Sequence, residues 1–160
     1  MVDTTLPTST FYTVVQHAPL VSIDLVILNQ DNQILVGKRR NNPAKGVYFV
    51  PGARVLKNES LPTALQRVSK FELDLELKKV KFLGIYDHLY DTNFLDEKCG
   101  THYVCIAVQS IVNPSEETRL TAQFAKQHSE LKWLTKPELL ASPDVHQYTK
   151  NYFIDAPNKF

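Results

Sequence analysis

A chain of 160 residues can bury one sizeable hydrophobic core, and a single domain over residues 1–160 is expected. Hydrophobic residues make up 43% and charged residues 22%, the balance of an ordinary globular protein. A net charge of +1 excludes a broad basic field for nucleic acid or an anionic membrane, so an anionic small substrate has to be held by a few local cations.

The polar tail Met1 to Thr10 has neither the basic start nor the apolar stretch of a secretory signal. No apolar run approaches the ~18 residues of a membrane span, and a cytoplasmic location is expected. Phe11 to Gln16 predicts a short helix that Pro19 closes. Leu20 to Leu28 is rich in β-formers, Asn29-Gln30-Asp31-Asn32 turns the chain, and Gln33 to Lys38 returns as the second strand of a hairpin. After the loop Asn41 to Gly46, Val47 to Val50 is a third strand, stopped by Pro51-Gly52.

Ser60 to Glu72 is the clearest helix. Ser60 caps it, Pro62 fits the first turn, and Leu61, Ala64, Leu65 and Val68 recur at spacings that bury one face. Two longer strands, Phe82 to Tyr90 and His102 to Val112, flank a polar loop from Asp91 to Gly100. Cys105 alternates with apolar neighbours, so it is expected to be a small core residue rather than half of a disulfide with Cys99. Glu130 to Leu134 is a further strand, Thr135 and Glu138 form a capping box, and Ser142-Pro143 opens a terminal helix through Tyr148 and Tyr152. The order predicts an α+β fold, an α/β/α sandwich, rather than a repeating βαβ pattern.

Two acids stand where packing prefers carbon. At ~100° per residue, Glu72 falls about 20° from Leu61, inside the apolar stripe. A carboxylate there needs a cation or several donors, unless the helix frays and releases it to water. Asp24 interrupts the strand Leu20 to Leu28, where Asp is disfavoured unless it points outward.

The segment Gly52 to Glu59, with Arg67 and Glu72 after it, resembles the loop–helix–loop box of the Nudix hydrolases. Glu59, Arg67 and Glu72 keep the pattern. Ala53, Val68, Ser69, Phe71 and Asp74 depart from it, and Val68 and Phe71 stand where that family carries metal-binding glutamates. The chain is most similar to the branch of the family that hydrolyses GDP-mannose. That likeness runs from Phe11 to about Phe153 and includes Pro19 to Asp24, Gly37-Lys38-Arg39, Phe49 to Gly52, Thr101 to Val104 and Gln127-His128.

The resemblance implies a Nudix fold with a mixed β-sheet, and release of GDP and free hexose by water attack at the anomeric carbon with inversion. It implies one Mg²⁺ per subunit, with Mn²⁺ able to substitute, held by Glu72, the Gly52 carbonyl and Gln127. His128 is the implied general base. Arg39, Arg54 and Tyr103 serve the diphosphate, while Asp24 and His88 face the sugar. Glu59 and Arg67 are expected to pair and brace the loop. The implied partner is a GDP-sugar, GDP-mannose or GDP-glucose, and the implied assembly a homodimer to which Phe11, Tyr12, Val14 and Val15 contribute. His17, His102 and His146 have no supporting constellation. Two other functions compete: a Nudix pyrophosphatase that cleaves P–O–P, disfavoured by Val68 and Phe71, and a nucleotide sensor with an eroded box.

Overall fold

The structure, a computed structural model, describes residues 6–42 and 44–154, apart from the side chains of 121–127. In chain order the elements are α1 (Thr8–His17), β1 (Leu20–Leu28), β2 (Ile34–Lys38), β3 (Tyr48–Phe49), β4 (Gly52–Arg54), α2 (Leu61–Leu73), β5 (Lys81–Tyr90), β6 (Thr101–Ile111), α3 (Pro114–Gln127), β7 (Leu131–Leu134), α4 (Lys136–Ala141) and α5 (Gln147–Asn151). The sheet is mixed: its order is β3-β2-β1-β6-β5, with β4 also on β1 and β7 on β2. β1 and β6 are parallel, while the other paired strands of this sheet run antiparallel. Among the described residues no helix is long and apolar enough to cross a membrane.

β1 is buried on both faces, which is why its sequence reads as a nearly continuous apolar run. The pleat divides it. Ile23, Leu25 and Ile27 join Ala64 and Val68 of α2 in one core, while Val26 joins Val36, Phe49, Leu139 and Tyr152 in the other. Asp24 has the same parity as Val26, so it faces the second layer. The hairpin forms around Asn29, whose Oδ1 accepts from the backbone N–H of Asp31 at 3.1 Å and of Gln33 at 2.9 Å.

The β1–β2 register is recorded at Leu28 and Ile34. Further along, the edge of β1 is taken by β4, with Ser22 to Asp24 opposite Arg54 to Gly52. The sequence gives Pro51-Gly52 as a stop. In the structure Gly52 instead starts this short strand, and the Leu25 N–H bonds to the Pro51 carbonyl at 2.8 Å.

Helix α2 runs one residue beyond the expected end. Ser60 is its N-cap and Asp74, at φ 53°, closes it in the left-handed region. Leu61 does not belong to the buried stripe: it is 49% exposed, because residues 61–63 of the first turn all lie in solvent. The buried positions are Ala64, Val68, Ser69, Glu72 and Leu73. Helix α3 is absent from the sequence expectation, although Asn113 and Glu116 form a reciprocal cap across Pro114, with both bonds at 2.9 Å. The terminal helix starts later than Ser142-Pro143 implies. Val145 is first drawn into a bridge with Tyr48, and His146 then caps α5.

Val68 is fully buried in the core between α2 and β1. Val68→Glu is therefore expected to cost ~3 kcal/mol or more in urea-induced unfolding, because the carboxylate has no water to reach.

Candidate functional site

A cleft of about 200 Å³ opens where β4 meets β1 and the end of β2. Asp24, Arg39, Gly52, Arg54, His88 and Tyr103 all line it, joined by Ser22, Phe49, Val50, Ala53 and Tyr90. Six of the residues singled out from sequence are thus brought together by five separated segments.

Arg39 follows β2 and is pinned there by backbone bonds, its N–H to the Val47 carbonyl at 3.0 Å and its carbonyl to the Gly46 N–H at 2.9 Å. Its guanidinium carbon lies 5.6 Å from the centre of the Phe49 ring. Its Nε is buried and has no hydrogen-bond partner among the described residues. A buried guanidinium N–H without an acceptor is costly, and a phosphate oxygen satisfies it well. Arg54 ends β4 and is exposed, with its guanidinium 3.9 Å over the Phe11 ring; Phe11 in turn packs against Phe94 in a tilted pair, 4.8 Å between ring centres. The N-terminal helix therefore packs on its own chain through Phe11 and the buried Val15.

Register explains how Asp24 and His88 come together. Cys105 and Tyr103 alternate along β6, paired with Tyr86 and His88 of β5, and Cys105 is also level with Ser22 of β1. Asp24, Tyr103, Cys105 and His88 therefore share one face of the sheet. Asp24 is 7% and His88 3% exposed. The Tyr152 hydroxyl lies between them, donating to Asp24 Oδ2 at 2.6 Å and standing 3.1 Å from His88 Nε2. Burial lifts the Asp24 carboxyl to about 6, against the opposing pull of Tyr152, Cys105 and Arg39. Burial, with His146 and Arg39, lowers His88 to about 4, so its imidazole is neutral near pH 7. Asp24 also explains Gly52. A Cβ at Gly52 would stand 2.4 Å from Asp24 Oδ1 and 2.7 Å from the Ile23 carbonyl.

Glu72 is buried at 6% exposure, so of the two outcomes its helical phase left open the helix end does not fray it into water. Burial pushes its carboxyl up to about 7; Arg39 pulls it down and Asp24 pushes it further up. The donor chemistry fits a hard divalent cation: a buried carboxylate destabilised by a second carboxylate is relieved by an ion bound through oxygen. Asp24, His88 and Cys105 offer another set of ligand atoms, all within 4.8 Å of one another. The Tyr152 hydroxyl stands among these three, 3.5 Å from Cys105 Sγ, so hydrogen bonds already close that cluster. Both cysteines are free, and Cys105 is buried.

Of the remaining expected residues, His128 is half-buried just beyond α3 and is not part of the cleft lining. Its loop is laid along the end of β2, with Arg40 donating to the His128 carbonyl at 3.0 Å and Ser129 N–H to the Lys38 carbonyl at 3.2 Å. The backbone of Gln127 ends α3, and its side chain lies outside the described residues. Arg67 forks onto Glu59 at 2.7 and 2.9 Å and also donates to the Arg54 carbonyl at 2.7 Å. Glu59 accepts from the Leu56 N–H at 3.0 Å. The pair thus ties the loop after β4 to α2.

Sequence reasoning passed over Tyr90, His146, Tyr148 and Tyr152. His146 lies 5.1 Å from Phe49 and 5.7 Å from Tyr90 between ring centres, and Tyr148 stacks on His88 at 4.3 Å with the planes 1° apart. The density of aromatic residues in His146 to Tyr152 was the available signal.

Fold and cleft together define a Nudix hydrolase. The chain belongs to that family, since the NUDIX domain model matches residues 18–155, and such enzymes act on nucleotide-derived substrates with a divalent metal. The low-salt glycan biosynthesis protein Agl8 of Haloferax volcanii is 35% identical over 145 residues, 91% of this chain and 89% of that protein. An ADP-ribose pyrophosphatase of Methanocaldococcus jannaschii is 41% identical over 68 residues, 42% of this chain and 40% of that protein. Among solved structures, the MutT protein of Methanosarcina mazei shares the fold with a TM-score of 0.66 at 18% identity, covering 86% of this chain and 92% of its own.

Because the folded state raises the Glu72 pKa to about 7, it binds that proton more tightly than the unfolded chain. Its contribution to stability is lost as pH rises through about 7. In EDTA, Glu72→Gln is expected to gain thermal stability relative to wild type between about pH 5 and about pH 8; thermal melts at the two values check it.

Proposed function

We propose that the chain hydrolyses GDP-mannose, with GDP-glucose as a second substrate, to GDP and free hexose by water attack at the anomeric carbon. The observation that carries this reading is the composition of α2. Val68 is fully buried in the core and Phe71 is 61% exposed, so of positions 68, 71 and 72 only Glu72 brings a buried carboxylate to the site. Attack at phosphorus with several metal ions needs more carboxylates. Displacement at carbon needs charge compensation for the leaving diphosphate and a base for the water.

In this mechanism Arg39 and Arg54 bind the diphosphate, and Tyr103 donates its hydroxyl to the same side. Asp24, ionised above about 6, faces the sugar and stabilises positive charge developing at the anomeric centre, with His88 beside it. Neutral His128 removes a proton from the attacking water. As the new C–O bond forms, the bond to the GDP oxygen breaks with its electron pair on GDP, and the anomeric centre inverts. Mg²⁺ held by Glu72, the Gly52 carbonyl and the Gln127 side chain would supply charge stabilisation for the leaving diphosphate, and Mn²⁺ would substitute.

The name of the Haloferax volcanii relative puts that protein in glycan biosynthesis, which suits a sugar nucleotide. The shorter match to an ADP-ribose pyrophosphatase favours the rival P–O–P cleavage. We take the working unit as a cytoplasmic homodimer; exposed Val21, Ile85 and Leu89 on one face of the sheet support an apolar contact. A proton NMR time course on GDP-mannose with Mg²⁺ is expected to yield GDP and inverted free mannose, whereas GMP and mannose phosphate would overturn the proposal. His128→Ala is expected to lower kcat by about 10²–10⁴-fold while nucleotide still binds.

A further inference from the structure

The mechanism above leaves the buried hydroxyl of Tyr152 unused. Tyr152 is 8% exposed, lies at the C-terminal end of α5, and places its hydroxyl between the two sugar-side residues, 2.6 Å from Asp24 Oδ2 and 3.1 Å from His88 Nε2. A phenol has one proton. If that proton is donated to the Asp24 carboxylate, the phenol oxygen meets His88 only as an acceptor. His88 must then carry its proton on Nε2, which leaves Nδ1 as the acceptor of the neutral ring. Cys105 Sγ stands 3.5 Å from the same oxygen.

The same short helix fixes the ring from another side. Tyr148 stacks on His88 at 4.3 Å with the planes 1° apart. Its hydroxyl is latched to the edge of β5, accepting from the Leu89 N–H at 2.8 Å and donating to the Leu89 carbonyl at 2.5 Å. His88 is thus held in plane by Tyr148 and in tautomer by Tyr152.

We infer that Tyr152 is a positioning residue: its hydroxyl orders Asp24 and His88 into one donor–acceptor chain, so that the sugar meets a carboxylate with one oxygen already occupied and an imidazole of fixed tautomer. Its effect on turnover rests on the GDP-mannose reading; the tautomer does not.

The experiment uses the full chain labelled with ¹⁵N, and reads the His88 ring nitrogens by long-range proton–nitrogen correlation near neutral pH without substrate. Wild type is expected to show Nε2 protonated and Nδ1 bare, and Tyr152→Phe to lose that single tautomer. The reverse tautomer in wild type would overturn the inference, and needs no variant to fold. With GDP-mannose and Mg²⁺, Tyr152→Phe is expected to lower kcat about tenfold or more with little change in KM. An unchanged His88 signature and kcat in Tyr152→Phe would also overturn it. Should wild type leave GDP-mannose intact, the proposed substrate fails while the tautomer assignment is still decided by the spectrum.

Discussion

One guanidinium underlies the electrostatics of this cleft. Arg39 stands close enough to Asp24 and Glu72 to pull both carboxyls down against the burial that raises them. The same charge helps keep His88 and His146 neutral. Two buried acids share this space with the Arg39 guanidinium, whose Nε is itself buried. That is an arrangement suited to a divalent cation and then a diphosphate, each compensating the other. A lysine could supply the charge but not the fork, nor the flat surface that Arg39 turns toward Phe49.

The backbone makes room for these charges by splitting one strand's edge between two partners. Because β4 takes the Ser22 to Asp24 stretch of β1, the cleft opens beside Arg39. The Asp24 carboxylate reaches this space by lying directly against the Cα of Gly52, a contact that no side chain at 52 permits. The Glu59–Arg67 fork, whose outer nitrogen also holds the Arg54 carbonyl, fixes the loop between β4 and α2. The residues that keep the Nudix pattern at 59 and 67 thus work on backbone geometry, while Glu72 works on charge.

Much of this was legible in the sequence, for reasons that are local. The long strands and α2 with its Ser60 cap follow from periodicity and capping chemistry within a dozen neighbouring residues, whereas the helix alone left open whether Glu72 is buried or frays into water. The gathering of Asp24, Arg39, Arg54, His88 and Tyr103 was reached through family likeness, since nothing in their spacing encodes which strands become neighbours. The losses are equally physical. Gly52–Arg54 is too short to carry an alternation. Helix α3 announces itself by its cap rather than by an apolar stripe. Tyr152 acts on Asp24 across 128 positions of chain, and only the docking of α5 on the sheet makes that contact.

The central claim is that water adds to carbon rather than to phosphorus, and isotope placement tests it most directly. Hydrolysis of GDP-mannose by the Mg²⁺-loaded chain in ¹⁸O-enriched water, analysed by mass spectrometry at early turnover, is predicted to put the label in the hexose and leave GDP unlabelled. Label in a phosphate of the nucleotide or of a sugar phosphate would contradict the account.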